Sequence, residues 1–388
     1  MRLKVVFIIG FSRVSYDNNI LGGIGFMKGK MAVLNGPKEI QIREFELAKP
    51  GPDEVLVEVV RANVCGSDVH TWKGSHPIKT KGTIGHEYVG RIYQLGENVK
   101  TDYAGEVVKE GDRVAALFSV TCMKCGPCSR GEFFLCKNRD IYQAKEPEDP
   151  PHFFSPFATH CYIFPGVFFY KVPDQVSDAM AAGANCALAQ ILFSIDTAGG
   201  FRRGEKFLVQ GAGGLGLYAI AAAKEQGAIV IVIDGIKERL EMAKAFGADY
   251  IIDMNEHQTV ESRVQAVNEL TNGEGADVAI EVTGVTAAFP EGIELIRPGG
   301  RYMVLGNVLP SFKVEFSLGL LVRKSITVFP IARYNPWYLY HALKFLERNH
   351  QKFPFDSLSS GKLYSLEEIN NAFIDSENRK VTRAIIAP

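Results

Sequence analysis

Lys206-Phe-Leu-Val-Gln210-Gly211-Ala-Gly213-Gly214-Leu215-Gly216 joins a short apolar run directly to a cluster of glycines. The run has the character of a fully buried strand, and the residues after Gly216 have the character of a helix. At such a junction the first glycine permits a tight turn and the second lets a pyrophosphate approach the backbone. The third lets the helix pack against the sheet, and the free amides of the helix start face the anion. Gly211, Gly213, Gly214, Leu215 and Gly216 are therefore candidate dinucleotide contacts. Downstream, strand patterns at Ile229 to Asp234, Asp249 to Asp253, Asp277 to Val282, Arg301 to Gly306 and Ser325 to Pro330 alternate with helical ones. Those helices are expected at Leu217 to Gln226, Lys237 to Phe246 and Val260 to Leu270. This alternation demands a doubly wound parallel sheet covered on both faces. Asp234 ends the second strand, 18 residues after Gly216, where a carboxylate can accept the ribose hydroxyls and repels a 2′-phosphate. It argues for NAD over NADP unless it merely caps the strand. Arg239 and Lys237 nearby keep NADP open.

Upstream, from Lys30 to about Phe164, the chain shows short β-rich runs at Glu54 to Val60, Tyr88 to Gln94 and Arg113 to Phe118. Six of the seven cysteines stand out. Cys122, Cys125, Cys128 and Cys136 fall within fifteen residues, a spacing that can close a tetrahedral thiolate site with no open position. Such a site is structural; disulfides and an isolated nucleic-acid-binding zinc ribbon are the competing explanations. Cys65, His86 and Cys186 offer two thiolates and an imidazole, leaving a fourth place for water or substrate. Asp68 and Glu87 adjoin these residues and can orient His86 or tune the metal. Whether Glu87 itself ligates is left open. Cys161 is assigned to packing.

The 388 residues exceed one ordinary core, so two domains are expected. A net charge of −1, with 46% hydrophobic and 22% charged residues, suits a soluble chain and gives no footprint for nucleic acid or an anionic membrane. Arg2, Lys4 and the apolar run Val5 to Phe11 imitate a short signal peptide without a convincing cleavage site. This stretch is expected to be a disordered extension or to lie upstream of the natural start, and the thiolates favour a cytoplasmic setting.

Together, Cys65-Gly66-Ser67-Asp68-Val69-His70-x-Trp72, Gly85-His86-Glu87-x-x-Gly90, Gly111-Asp112-Arg113-Val114 and the four-cysteine lobe resemble the zinc-dependent medium-chain dehydrogenase/reductase family. The resemblance runs from Lys30 to Pro388. It implies a two-domain α/β chain: a GroES-like β-rich catalytic domain and a Rossmann domain. The expected divisions are an extension of unclear role over residues 1–29, a catalytic domain over 30–187 with its zinc lobe at 122–136, a Rossmann domain over 188–335, and a return to the catalytic domain over 336–388. Arg383 resembles an arginine that reaches the cofactor phosphates, with a plain surface charge as the alternative. The Cys65 segment resembles polyol dehydrogenases, whereas Ala184-Asn185-Cys186-Ala187 resembles alcohol dehydrogenases with cysteine as third ligand. Nearest-subfamily inference of the substrate is therefore unsafe.

The implied chemistry is NAD-dependent oxidation of a secondary alcohol or polyol, with two zinc ions per chain. Ser67 is expected to pass the alcohol proton to His70, unless these are a turn residue and a surface histidine. Trp72, His152, Phe153, Phe154 and Phe157 are candidates for an apolar pocket wall, although Ala144 to Phe157 fits a solvated loop with an aromatic anchor equally well. Two alternatives stand beside this: a reductase of the same family working in the opposite direction, and a non-catalytic nucleotide-binding relative. The retention of Cys65, His86, Cys186 and Ser67 speaks against the latter. A homodimer or homotetramer is expected from the family's habit of associating through the nucleotide-binding sheet.

Overall fold

A computed structural model describes residues 27–75, 79–306, 309–359, 361–381 and 383–388. Residues 1–26 of the extension, including the signal-like run, lie outside the described residues. Lys28 and Gly29, assigned above to the extension, already belong to the strand Lys28–Gly36.

The strand Lys206–Gln210 sits at the centre of a six-stranded sheet. Across that sheet the order is Tyr250–Asp253, Ile229–Asp234, Lys206–Gln210, Ala276–Glu281, Ile296–Val304 and Thr327–Pro330, with every pairing parallel. The order reverses beside Lys206–Gln210, at the place where a doubly wound sheet opens a crevice at its carboxyl ends. Phe207, Leu208 and Val209 are completely buried, as continuous apolar strands in such sheets must be. Helices Gly214–Glu225, Lys237–Ala245, Val260–Leu270 and Ala288–Leu295 make the crossovers.

The β-rich part is built on a second sheet in which Val55–Asn63 pairs antiparallel with Glu87–Leu95, with His160–Ile163 and with Ile385–Ile386. The chain's last strand thus returns to the sheet that carries the metal-ligand candidates. A three-stranded sheet of Lys28–Gly36, Glu39–Glu46 and Gly82–Thr83 lies beside it. Helix Trp337–Asn349 packs on helix Ala189–Thr197 and on the turn holding Cys186. Among the described residues, no helix is long and apolar enough to cross a membrane.

Candidate active site

Cys65 precedes the short helix Gly66–Trp72, His86 precedes the strand Glu87–Leu95, and Cys186 lies in the π-helical turn Ala184–Leu188. Ligating atoms of Cys65, His86, Glu87 and Cys186 all lie within 4.8 Å of one another. Single π-helical turns occur often at functional sites, because the extra residue reorients one side chain. Asn185 holds this turn in place. Its side-chain amide donates to the carbonyls of His86 and Ala116, both at 2.8 Å, and its own carbonyl accepts from the Tyr334 hydroxyl.

Asp68 organises the other side. One carboxylate oxygen accepts from the Cys65 amide at 3.0 Å, and the other lies 3.0 Å from His86 Nδ1. The bond fixes a proton on Nδ1 and leaves Nε2 for a metal or thiol. Burial penalises the His86 imidazolium, but Asp68 and the Cys65 sulfur outweigh it and hold His86 well above its ordinary value. The hydrogen bond with Cys186, aided by His86, draws Cys65 well down, and the same bond pushes Cys186 up. A donor set of two sulfurs and one imidazole suits zinc with an open fourth position. The Glu87 oxygen Oε1 is buried without a hydrogen-bond partner, so this carboxylate has a lone pair to offer within the same group.

Cys122, Cys125, Cys128 and Cys136 form a second sulfur group. The Cys122–Cys128 and Cys125–Cys136 sulfurs are each 4.0 Å apart, close to the edge of about 3.8 Å of a tetrahedron with metal–sulfur bonds of about 2.3 Å. A disulfide needs about 2.05 Å, and all seven cysteines are free, so the disulfide alternative falls. The Cys122 and Lys137 amides point at Cys136 and Cys125 sulfur, as in a knuckle shaped around thiolates.

At the glycine-rich turn, Gly211 takes φ +100°, in the left-handed region that favours glycine. A Cβ on Gly216 would stand 2.0 Å from the Gly211 carbonyl, so only glycine permits this approach of helix to strand. A Cβ on Gly213 would meet nothing within 4 Å, which leaves room for a phosphate before the helix start. Asp234 accepts from the Ala212 amide at 2.8 Å and the Ile236 amide at 2.9 Å, with Arg239 4.0 Å away. It braces the turn. Arg383 bonds the Glu87 carboxylate, while its other terminal nitrogen packs 3.2 Å from the Cβ direction of Gly214. It therefore links the metal-ligand candidates to the glycine-rich turn rather than standing as a plain surface charge.

Ser67 and His70 lie one turn apart on the helix that follows Cys65, and the His70 ring meets Phe312 edge-on at 6.5 Å. Trp72, Phe153 and Phe157, expected at the pocket, are elsewhere. All three are at most 1% exposed and belong to the core. Trp72 and Phe157 both pack on Phe373, and Phe153 packs on Phe45 and His160. The loop folds its aromatics inward because so large an apolar surface is worth about 1.5–3 kcal/mol per side chain when buried. Beside His86, a cavity of about 40 Å³ is lined by Phe154, an expected loop aromatic, together with Phe118, Arg139, Tyr142 and Gln143. The Phe118 ring meets His86 edge-on at 5.0 Å. Phe118, Arg139, Asn185, Arg333 and Tyr334 were not singled out by the sequence; Asn185, next to Cys186, had the only local signal.

Comparison with known proteins agrees with this geometry. The family profile "Alcohol dehydrogenase GroES-like domain" matches residues 51–161, and "Zinc-binding dehydrogenase" matches residues 214–348. The chain is 31% identical to 5-exo-hydroxycamphor dehydrogenase of Pseudomonas putida over 88% of its own length and 94% of that protein. It is 30% identical to sorbitol dehydrogenase of Halalkalibacterium halodurans over 93% of its length and 99% of that protein. The crystal structure of an alcohol dehydrogenase from Thermotoga maritima superposes with a TM-score of 0.87 at 32% identity, covering 93% of this chain and 100% of that one.

Proposed function

The chain belongs to the zinc-dependent medium-chain dehydrogenase/reductase family, and on that footing we propose that it oxidises a secondary alcohol or polyol to the ketone with NAD, reversibly. The observation that carries the proposal is the meeting of Cys65, His86 and Cys186 beside the Arg383–Glu87 pair, which reaches the glycine-rich turn. Both curated relatives above are named for alcohols.

When bound, zinc supplies a Lewis acid for the alcohol oxygen and NAD supplies the hydride acceptor. Cys65, His86 and Cys186 would hold the zinc, with Asp68 fixing the imidazole and Asn185 fixing the Cys186 turn. Glu87 is within reach as a further ligand. Cys122, Cys125, Cys128 and Cys136 would hold a second, structural zinc. Gly211 to Gly216 and Arg383 would cradle the pyrophosphate, and Asp234, with lone pairs left over from its two amide bonds, would take the ribose and select NAD. The carbon gives up a hydride and the oxygen a proton. Ser67 would accept that proton and His70, one turn on, would carry it outward.

A second copy of the chain would cover the edge strand Thr327–Pro330 and the exposed Phe312, Phe316, Leu318 and Val322, giving a homodimer or a larger assembly. The seven free thiols suit a reducing compartment such as the cytoplasm.

NADH absorbance with zinc-replete protein across secondary alcohols, hydroxy acids included, polyols and hydroxylated rings tests the proposal. A signal that Cys65→Ser abolishes while melting is retained supports it. NADH binding and two zinc ions per chain, with silence across the panel in both directions, would refute it.

A further inference from the structure

Two guanidiniums near the metal-ligand group share a single carboxylate. Asp140 lies 3.1 Å from Arg139 through one oxygen and 3.2 Å from Arg333 through the other. Arg333 Nη1 is sealed from solvent and has no hydrogen-bond partner. Lys79, which donates to the Gln143 carbonyl at 3.0 Å, feels the carboxylates of Asp68, Asp140 and Glu146.

This cluster stands one aromatic ring from His86. The Arg333 guanidinium lies 5.8 Å above the Phe118 ring, whose edge meets His86. Arg139 lines the cavity bounded by His86 and Phe118. The next residue, Tyr334, is bonded to Asn185, the neighbour of Cys186. The desolvation of a buried guanidinium nitrogen without a partner goes uncompensated. An anionic oxygen would satisfy it, and arginine is suited to planar, bidentate carboxylates.

We propose that the substrate alcohol carries a carboxylate, which docks on Arg333 beside Arg139 while the carbinol faces Cys65, His86 and Cys186. The proposal rests on the dehydrogenase assignment for its carbinol half only. It makes Arg333 a specificity-determining residue and restricts the substrate to hydroxy acids.

The test pairs acids with neutral isosteres: 3-hydroxybutanoate with 3-hydroxybutanamide, and 3-hydroxycyclohexanecarboxylate with its primary amide. Binding to zinc-replete protein saturated with NADH is measured by calorimetry. Alcohol and NADH are both reduced, so no turnover interferes. At least one acid is expected to bind about tenfold more tightly than its amide, with the preference falling as salt rises. Arg333→Gln should bring the ratio close to one, and Asp140→Asn, which removes the competing carboxylate, should raise it. Equal binding of acids and amides by the native protein would overturn the proposal. So would a preference that survives Arg333→Gln, or, if that variant does not fold, one that Asp140→Asn leaves unchanged or lowers. Turnover of the same compounds with NAD separates the two ideas. Acid binding without oxidation of any alcohol retains the anion site and refutes the dehydrogenase; oxidation of neutral alcohols without acid binding does the reverse.

Discussion

Arg383 and Glu87 stand 296 residues apart and form an ion pair in which Glu87 is wholly buried and Arg383 is 10% exposed. The pair ties the last stretch of the chain to the strand that begins beside His86, and it places a cation against the start of the helix Gly214–Glu225. Removing one partner of a buried pair leaves the other charge uncompensated, at about 3–5 kcal/mol. Arg383→Met is therefore expected to lower the melting temperature and weaken NADH binding together, read by calorimetry and fluorescence titration. The double variant Glu87→Gln, Arg383→Met should regain part of the stability but none of the cofactor affinity. Unaltered NADH affinity in Arg383→Met would show that the arginine serves the fold alone.

Asp68 fixes His86 through Nδ1 and also accepts from the Cys65 amide, so one carboxylate sets two of the three candidate ligands. Loss of such a partner lowers metal affinity or activity by about 10–100-fold. Asp68→Asn should release the catalytic zinc to a chelator at a correspondingly lower concentration, with the four-cysteine zinc retained. Chelator curves that superpose with the native protein would remove Asp68 from this role.

The two expected zinc sites should also separate by what they damage. Cys65→Ser takes a ligand from a group with an open position and should abolish turnover with little change in melting. Cys125→Ser breaks a closed thiolate tetrahedron whose binding energy is folding energy. It should lower the melting temperature and reduce the zinc content by about one ion per chain. Normal melting with full activity in Cys125→Ser would contradict a structural zinc.

How far the sequence foretold all this depends on the kind of residue. Lys206–Gln210 and Ile229–Asp234 begin and end where their apolar runs do, because strands buried on both faces are continuous runs closed by glycine or a charge. The strand Ile296–Val304 starts five residues ahead of the expected Arg301, because Ile296 pairs with Ala276 while residues 297–300 bulge out of the register and keep the turn chemistry of Pro298, Gly299 and Gly300. Cysteine and histidine spacing announced the metal-ligand candidates because few other uses demand those residue types together. Trp72, Phe153 and Phe157 were misplaced because aromatic identity says nothing of direction, and core and pocket compete for the same side chains. Arg333 and Asp140 were invisible, since their meaning comes from a contact across 193 residues of chain.

His160 offers a test of pH dependence away from the metal-ligand group. It is 9% exposed, bonded through Nδ1 to the Thr159 hydroxyl and set edge-on to Tyr93 and Phe153. Burial holds its pKa below the ordinary value of 6.5, with Glu58 on the paired strand acting weakly in the opposite sense. Well above about pH 6.5 the imidazole is neutral in both folded and unfolded chains, so its contribution to stability is complete there. As pH falls below that value, the unfolded chain takes up a proton that the folded chain refuses, and stability declines toward the folded pKa. His160→Phe keeps an aromatic ring and removes the titration. Urea unfolding at pH 7.5 and pH 5.5 should therefore show a smaller loss of stability in the variant than in the native protein. Protonation of the zinc ligands affects both proteins alike and cancels in the comparison. Equal losses would mean that His160 takes its proton in the folded state as readily as in the unfolded one.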